Sequence, residues 1–135
     1  MALLAWKEDY SVKVRQFDDQ HRRLIDMVNK LHDAVKLGKG SGILGDVLSS
    51  LAAYTQTHFA DEERVMLQNR YPGFTAHKKA HDQLVARVRE FQRQVGTGDA
   101  TVTPGLMNFL KEWLLQHIQG VDMQYGPYLN GKGVA

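Results

Sequence analysis

Residues 71–96 read YPGFTAHKKAHDQLVARVREFQRQVG, and Phe74, His77, His81, Leu84, Val88, Phe91 and Val95 recur in them at steps of three and four. That spacing draws a single stripe down an α-helix. Tyr71-Pro72-Gly73 before the run and Gly96 after it are helix punctuation, so a helix is predicted over 74–95.

Three more stretches carry the same period. Leu44, Leu48, Leu51, Thr55, His58, Glu62 and Val65 predict a helix over 42–67, opened by Ser41 and closed near Asn69. Phe17, His21, Leu24, Val28, Leu31 and Val35 predict one over 17–37, with Asp18 and Asp19 at its start and Gly38 at its stop. Leu106, Leu110, Trp113, His117 and Val121 predict a fourth over 104–122. Thr103 suits its N-cap and Pro104 its first helical position; Gly120 weakens its end and Gly126-Pro127 stops it. The linkers Gly38–Gly42, Gln68–Gly73 and Gly96–Thr103 are short, which lays successive helices antiparallel. The expected fold is therefore an all-α, up-down-up-down four-helix bundle forming one domain over 1–135. An irregular N-terminal arm over 1–16 packs Trp6 on the bundle, and 123–135 form a C-terminal tail.

Composition narrows the chemistry. In 135 residues there is no Cys, which excludes disulfides, thiolate zinc, iron–sulfur clusters and a thiol nucleophile, and fits a reducing cytoplasm. The apolar start Met1–Trp6 meets Lys7-Glu8-Asp9 too soon for a signal peptide. No uninterrupted apolar run approaches the roughly 20 residues of a membrane span. A net charge of +2 without clustered basic residues argues against nucleic acid as a partner.

The stripes hold His21, His58, Glu62, His77, His81 and His117 where leucines would be expected. Burying such groups costs several kcal/mol unless they are paired or bind a metal. Any one of them alone reads as a satisfied core histidine. Two features together argue otherwise. His58 with Glu62, and His77 with His81, are i,i+4 pairs on one helix face. Level along the bundle is the other: the starts of the first and third helices and the ends of the second and fourth share one end of an antiparallel bundle. All six groups converge there. Asp122 stands five residues after His117, about 140° around an ideal helix, so it faces the cluster only if the helix unwinds near Gly120. His32, about three turns from His21, reads as an ordinary polar residue.

Five imidazoles and two carboxylates are too many for one metal and suit two. Iron, manganese, copper and zinc all remain open, with iron favoured if the carboxylates bridge. With Glu62, Asp122 and one oxygen atom bridging two octahedral irons, one position stays open, on the iron holding two histidines. Leu24, Phe59, Trp113, Leu114 and Ile118 lie within a turn of these positions. Each reads singly as core packing. Together they would wall a dry pocket without an acid, base or Arg to handle an organic substrate, which suits a diatomic gas.

At these residues the chain resembles the hemerythrin family, and within it the single-domain bacteriohemerythrins. The resemblance spans nearly the whole chain: Asp18-Asp19-Gln20-His21-Arg22-Arg23-Leu24, His58-Phe59-Ala60-Asp61-Glu62-Glu63, Tyr71-Pro72-Gly73-Phe74 leading into His77-Lys78-Lys79-Ala80-His81, and Trp113-Leu114-Leu115-Gln116-His117-Ile118 with Asp122. It implies a non-haem pair of Fe2+/Fe3+ ions with an oxygen-atom bridge. His21 and His58 would serve the iron with the open position, His77, His81 and His117 the other, with Glu62 and Asp122 bridging both. Leu114 and Phe59 would wall the gas pocket, and Tyr125 would sit near Asp122. Lys13 departs from the Gly that many relatives carry before the first helix, which bears on the backbone path of the arm. The implied function is reversible dioxygen binding, not enzymatic turnover, by a cytoplasmic monomer that stores oxygen or passes it to oxygen-consuming enzymes. The alternatives are an oxygen or redox sensing module and a di-iron enzyme with peroxidase-like or oxidase activity. Against the enzyme stands the excess of His over carboxylate.

Overall fold

The computed structural model describes residues 4–36, 41–96 and 102–135, with side chains described outside 41–44 and 102–104. Four long helices appear: α1 Arg15–Lys36, α2 Ser41–Gln68, α3 Phe74–Gly96 and α4 Val102–His117. A π-helical turn, Ile118–Asp122, joins α4 to a short α5, Met123–Gly131. No strand occurs among the described residues. Each helix packs on its sequence neighbour, and α1 packs on α4 to close the ring. The result is an antiparallel four-helix bundle. The stop expected at Gly38 lies outside the described residues, as do the capping side chains of Ser41 and Thr103; α4 begins at Val102, ahead of Pro104.

Most of the apolar stripe residues with described side chains are buried as their period requires, while Val35, Phe74 and Trp113 are half-buried. Leu24, Val28 and Leu31 meet Leu48, Leu51, Leu84, Val88, Leu106 and Leu110 in the main core. A smaller core of Val12, Val14, Phe17, Val65, Met66, Tyr125 and Leu129 closes the other side of the polar cluster. The buried histidines thus form a polar layer between two apolar ones.

Three expectations need correcting. Residues 123–135 are not a plain tail, because α5 continues through Gly126-Pro127. Pro127 is exposed and costs the helix one backbone bond, while the buried Tyr125, Gly126 and Leu129 anchor α5 by packing. A Cβ at Gly126 would run into the Val12 carbonyl, so glycine permits this approach of helix to arm. Second, α1 starts at Arg15, and Asp18 holds the arm more than it starts the helix: its carboxylate accepts from Ser11 Oγ (2.6 Å) and Val12 N (2.8 Å). Third, Val121 is only half-buried, since the π turn gives the inner place to Asp122.

From Leu4 onward the arm is tied to the bundle. Asn29 exchanges two 2.8 Å bonds with the backbone of Leu4, and the Arg22 guanidinium lies 4.6 Å over the Trp6 ring. Lys13 takes a left-handed φ of 62° where the arm turns into α1, a conformation that favours glycine.

Candidate metal centre

Each element delivers its polar residues to one level. His21 lies in the second turn of α1, His58 and Glu62 in the second half of α2, His77 and His81 at the start of α3, and His117 at the end of α4. Asp122 arrives through the π turn, whose i→i+5 bonds enclose one residue more than the i→i+4 bonds of an α-helix. It thereby shares a face with His117: His117 Nε2 and Asp122 Oδ1 are 2.9 Å apart. All seven residues are buried.

The ligating atoms interlock. Asp122 Oδ1 also lies 2.9 Å from His77 Nε2, and Oδ2 lies 3.0 Å from His21 Nε2. Glu62 Oε1 is 3.3 Å from both His58 Nε2 and His81 Nε2, and Oε2 is 3.4 Å from His21 Nε2. Two groups of converging donors result, Glu62, His77, His81, His117 and Asp122 in one, His21, His58, Glu62 and Asp122 in the other. The two carboxylates belong to both. His32 is half-buried and joins neither.

Outer partners fix how these groups are protonated. Gln20 Nε2 donates to Asp61 Oδ2 (2.8 Å), which turns Gln20 Oε1 toward His58 Nδ1 at 2.5 Å. An amide oxygen only accepts, so His58 carries its proton on Nδ1 and leaves the Nε2 lone pair facing the cluster. Glu63 Oε2 does the same for His81 Nδ1 at 2.9 Å. The Nε2 lone pairs of His58 and His81 thus confront the lone pairs of Glu62 Oε1. Such an arrangement repels unless a proton or a cation lies between.

The unpartnered atoms supply the test of fit. Nε2 of all five histidines, Glu62 Oε1 and both oxygens of Asp122 are buried without a hydrogen-bond partner. Buried polar groups are ordinarily paired. Eight orphaned donor atoms on seven residues, aimed into one volume and divided into two groups, match the needs of two cations.

In the absence of a cation, protons take up the positive charge that the two carboxylates demand. Burial would lower the pKa of His21, but Asp122 and Glu62 outweigh it and raise it to about 10. Burial would raise the Glu62 carboxyl, yet His58, His21 and His81 hold it well below the usual range. Asp122 is lowered against burial and the Glu62 charge, chiefly by His117 and His21. Both carboxylates stay ionised, as cation binding requires.

Tyr125, expected near Asp122, feels the charge of that carboxylate and donates its hydroxyl to Glu62 Oε2. The fully buried ring also stacks on His77, with centroids 5.5 Å apart. Gln20, Asp61 and Glu63 were not singled out from the sequence beyond their place in the motifs. Their only signal is adjacency to His21 and Glu62, and polar residues beside a ligand are ordinary on a helix surface.

Below the polar layer lies a cavity of about 20 Å³ lined by Leu24, Val28, Leu51, Thr55, Leu84, Val88, Leu110, Trp113 and Leu114. Leu24 and Leu84 follow His21 and His81 by three residues, while Thr55 and Leu114 precede His58 and His117 by three. The cavity thus begins one helical turn from four imidazoles. Thr55 Oγ donates to the Leu51 carbonyl at 2.7 Å, which removes its proton from the cavity. Phe59 and Ile118, expected with these residues, are buried but lie outside this lining. Phe59 is held flat against the His81 ring, 3.7 Å between centroids and 5° between planes, and Trp113 stacks on His117 at 4.4 Å.

Residues 12–129 match the hemerythrin HHE cation binding domain. A bacteriohemerythrin of Methylococcus capsulatus is 40% identical over 131 residues, covering 96% of this chain and 99% of that one. A myohemerythrin of Sipunculus nudus is 30% identical over 89% of this chain and 88% of its own. The crystal structure of a wild-type hemerythrin superposes with a TM-score of 0.87 at 38% identity, covering 93% of this chain and 97% of that one. With its sequence matched from arm to α5 and its buried histidines converging on two carboxylates, this chain belongs to the hemerythrin family.

Proposed function

We propose that the chain binds dioxygen reversibly at a non-haem di-iron centre, and so stores oxygen or delivers it to oxygen-consuming enzymes. His21 and His58 would hold one iron and His77, His81 and His117 the other, with Glu62 and Asp122 reaching both. The observation that carries the reading is the set of orphaned, buried donor atoms arranged as two groups with shared carboxylates. The names of the relatives point the same way. When bound there, a ferrous pair would supply the electrons that reversible dioxygen binding needs.

The side chains do the rest. Gln20 and Glu63 keep Nδ1 of His58 and His81 protonated and their Nε2 lone pairs turned inward. Tyr125 steadies Glu62 by donating to the oxygen that faces His21. Leu24, Trp113 and Leu114 supply an apolar wall where water would find few partners. A carrier is favoured over an enzyme because this lining offers no acid, base or cation to handle an organic substrate. No helix among the described residues is long and apolar enough to cross a membrane. A cytoplasmic monomer is the form in which we expect it to act.

Absorption spectra of the reduced protein before and after air, taken with the iron-to-protein ratio, test the reading. Repeated cycles of oxygenation and deoxygenation at two irons per chain support it. One iron per chain, or steady turnover with a reductant in place of cycling, would overturn it.

A further inference from the structure

The two donor groups are unequal. One has three imidazoles and the other two, on the same pair of carboxylates. What stands behind the imidazoles differs too. His81 Nδ1 faces a carboxylate, Glu63 Oε2, at 2.9 Å. His58 Nδ1 faces a neutral amide, Gln20 Oε1, and the nearest charge in that chain, Asp61, is one residue further out. His21 Nδ1 is buried with no hydrogen-bond partner at all.

A carboxylate accepting from Nδ1–H makes the opposite nitrogen a stronger donor to a cation, and fixes the ring that carries it. An amide does this less, and an unpartnered nitrogen not at all. Lys78 Nζ, 3.8 Å from Glu63 Oε1, is half-exposed and faces the oxygen that His81 does not use, so it offsets little.

We propose that the two cation positions are graded. The His77–His81–His117 position fills first and empties last, and Glu63 and Gln20 are the positioning residues that set the order. The inference rests on the di-iron reading and adds to it which ion is labile. The labile ion is the one held by His21 and His58, the position that the family resemblance implies is the open one. The protein would therefore pass through a one-iron form in loading and in loss.

Release kinetics decide it. The full-length protein, loaded with ferrous iron under anaerobic conditions, is mixed with an excess of a strong ferrous chelator, and the chelate absorbance is followed. Wild type should release iron in two phases of one ion each. Glu63→Gln should accelerate the slow phase about tenfold, the lower end of the usual 10–100-fold effect of such outer partners, and leave the fast phase in place. Gln20→Glu combined with Asp61→Asn moves the carboxylate directly behind His58 at constant net charge, and should slow only the fast phase by a similar factor. Slower release is an effect that mere damage to packing does not give, so the second variant decides the matter even if the first folds poorly. A single phase carrying both irons, or equal shifts of both phases in either variant, would overturn the graded order. A wild-type protein holding one iron per chain would instead overturn the di-iron reading beneath it.

Discussion

His117 and Asp122 stand five residues apart and still bring Nε2 and Oδ1 to 2.9 Å, because the chain between them is a π-helical turn. Gly120 lies inside that turn, exposed, with open space where a Cβ would stand and no left-handed φ. The turn therefore needs no glycine. Gly120→Ala should keep two irons per chain and hold or raise thermal stability, by up to about 1 kcal/mol from the lower backbone entropy of the unfolded chain. Thermal denaturation together with iron analysis checks this, and loss of iron would mean that the turn depends on glycine after all.

The same pair shows where the sequence is legible. His21, His58, Glu62, His77, His81 and His117 obey the 3.6-residue period, so stripes and antiparallel order suffice to bring them together. Asp122 breaks that period, and periodicity alone puts Val121 inward; a π turn has no such regular signature. Gly126-Pro127 likewise reads as a stop, because local propensity carries no information about Tyr125 and Leu129 being held by Phe17, Val65 and Met66. The partners behind the histidines were legible only as neighbours in the motif. Their roles depend on which face of α1 meets which face of α2 and α3.

Glu62 and His32 make a paired test of which polar residues the fold depends on. Glu62 is shared by both donor groups, whereas His32 is half-buried and belongs to neither. Glu62→Gln keeps the volume but removes the charge, and should lower both iron retention and the melting temperature of protein purified with iron, since metal stabilises the native state by mass action. His32→Ala should leave iron at two per chain and shift stability little. Iron analysis and melting curves of the two variants side by side give the answer, and equal effects would contradict the burial pattern.

α5 should matter to the centre although it offers no ligand. Gly126 leaves no room for a Cβ against the Val12 carbonyl, and Tyr125 beside it donates to Glu62. In Gly126→Ala the new methyl meets backbone, which gives way poorly, so the cost should be about 1–3 kcal/mol, as for overpacked cores. Displacing α5 should also draw Tyr125 from Glu62 and loosen iron. Tyr125→Phe isolates that second effect: it leaves the packing but removes a donor to a buried carboxylate, for about 1–3 kcal/mol. Chelator release should quicken in both variants. Unchanged release in Tyr125→Phe would confine the hydroxyl to a packing role.

Leu114 tests whether the apolar layer separates an oxygen carrier from a protein that merely holds two irons. It is buried, three residues before His117, and lines the small cavity with Leu24 and Trp113. At about 20 Å³ the cavity has room for roughly one water molecule, but its apolar lining offers too few partners to keep one. Leu114→Ala enlarges this space beside the histidine layer and removes side-chain bulk that bars water. The expected stability loss is about 2–5 kcal/mol, the range for truncating a buried Leu. No ligand is touched, so iron should stay at two per chain. The oxygenated form should nevertheless pass to the oxidised form several-fold faster, because the shortened side chain would no longer keep water, and the protons it carries, away from the centre. Decay of the oxygenated absorption band, followed in wild type and variant at equal pH and temperature, measures this directly. Leu114→Ile, which nearly conserves volume, should decay close to the wild-type rate if bulk is what matters. Full iron loading with unchanged decay in Leu114→Ala would reduce Leu114 to core packing, and the gas pocket would have to be sought elsewhere in the bundle.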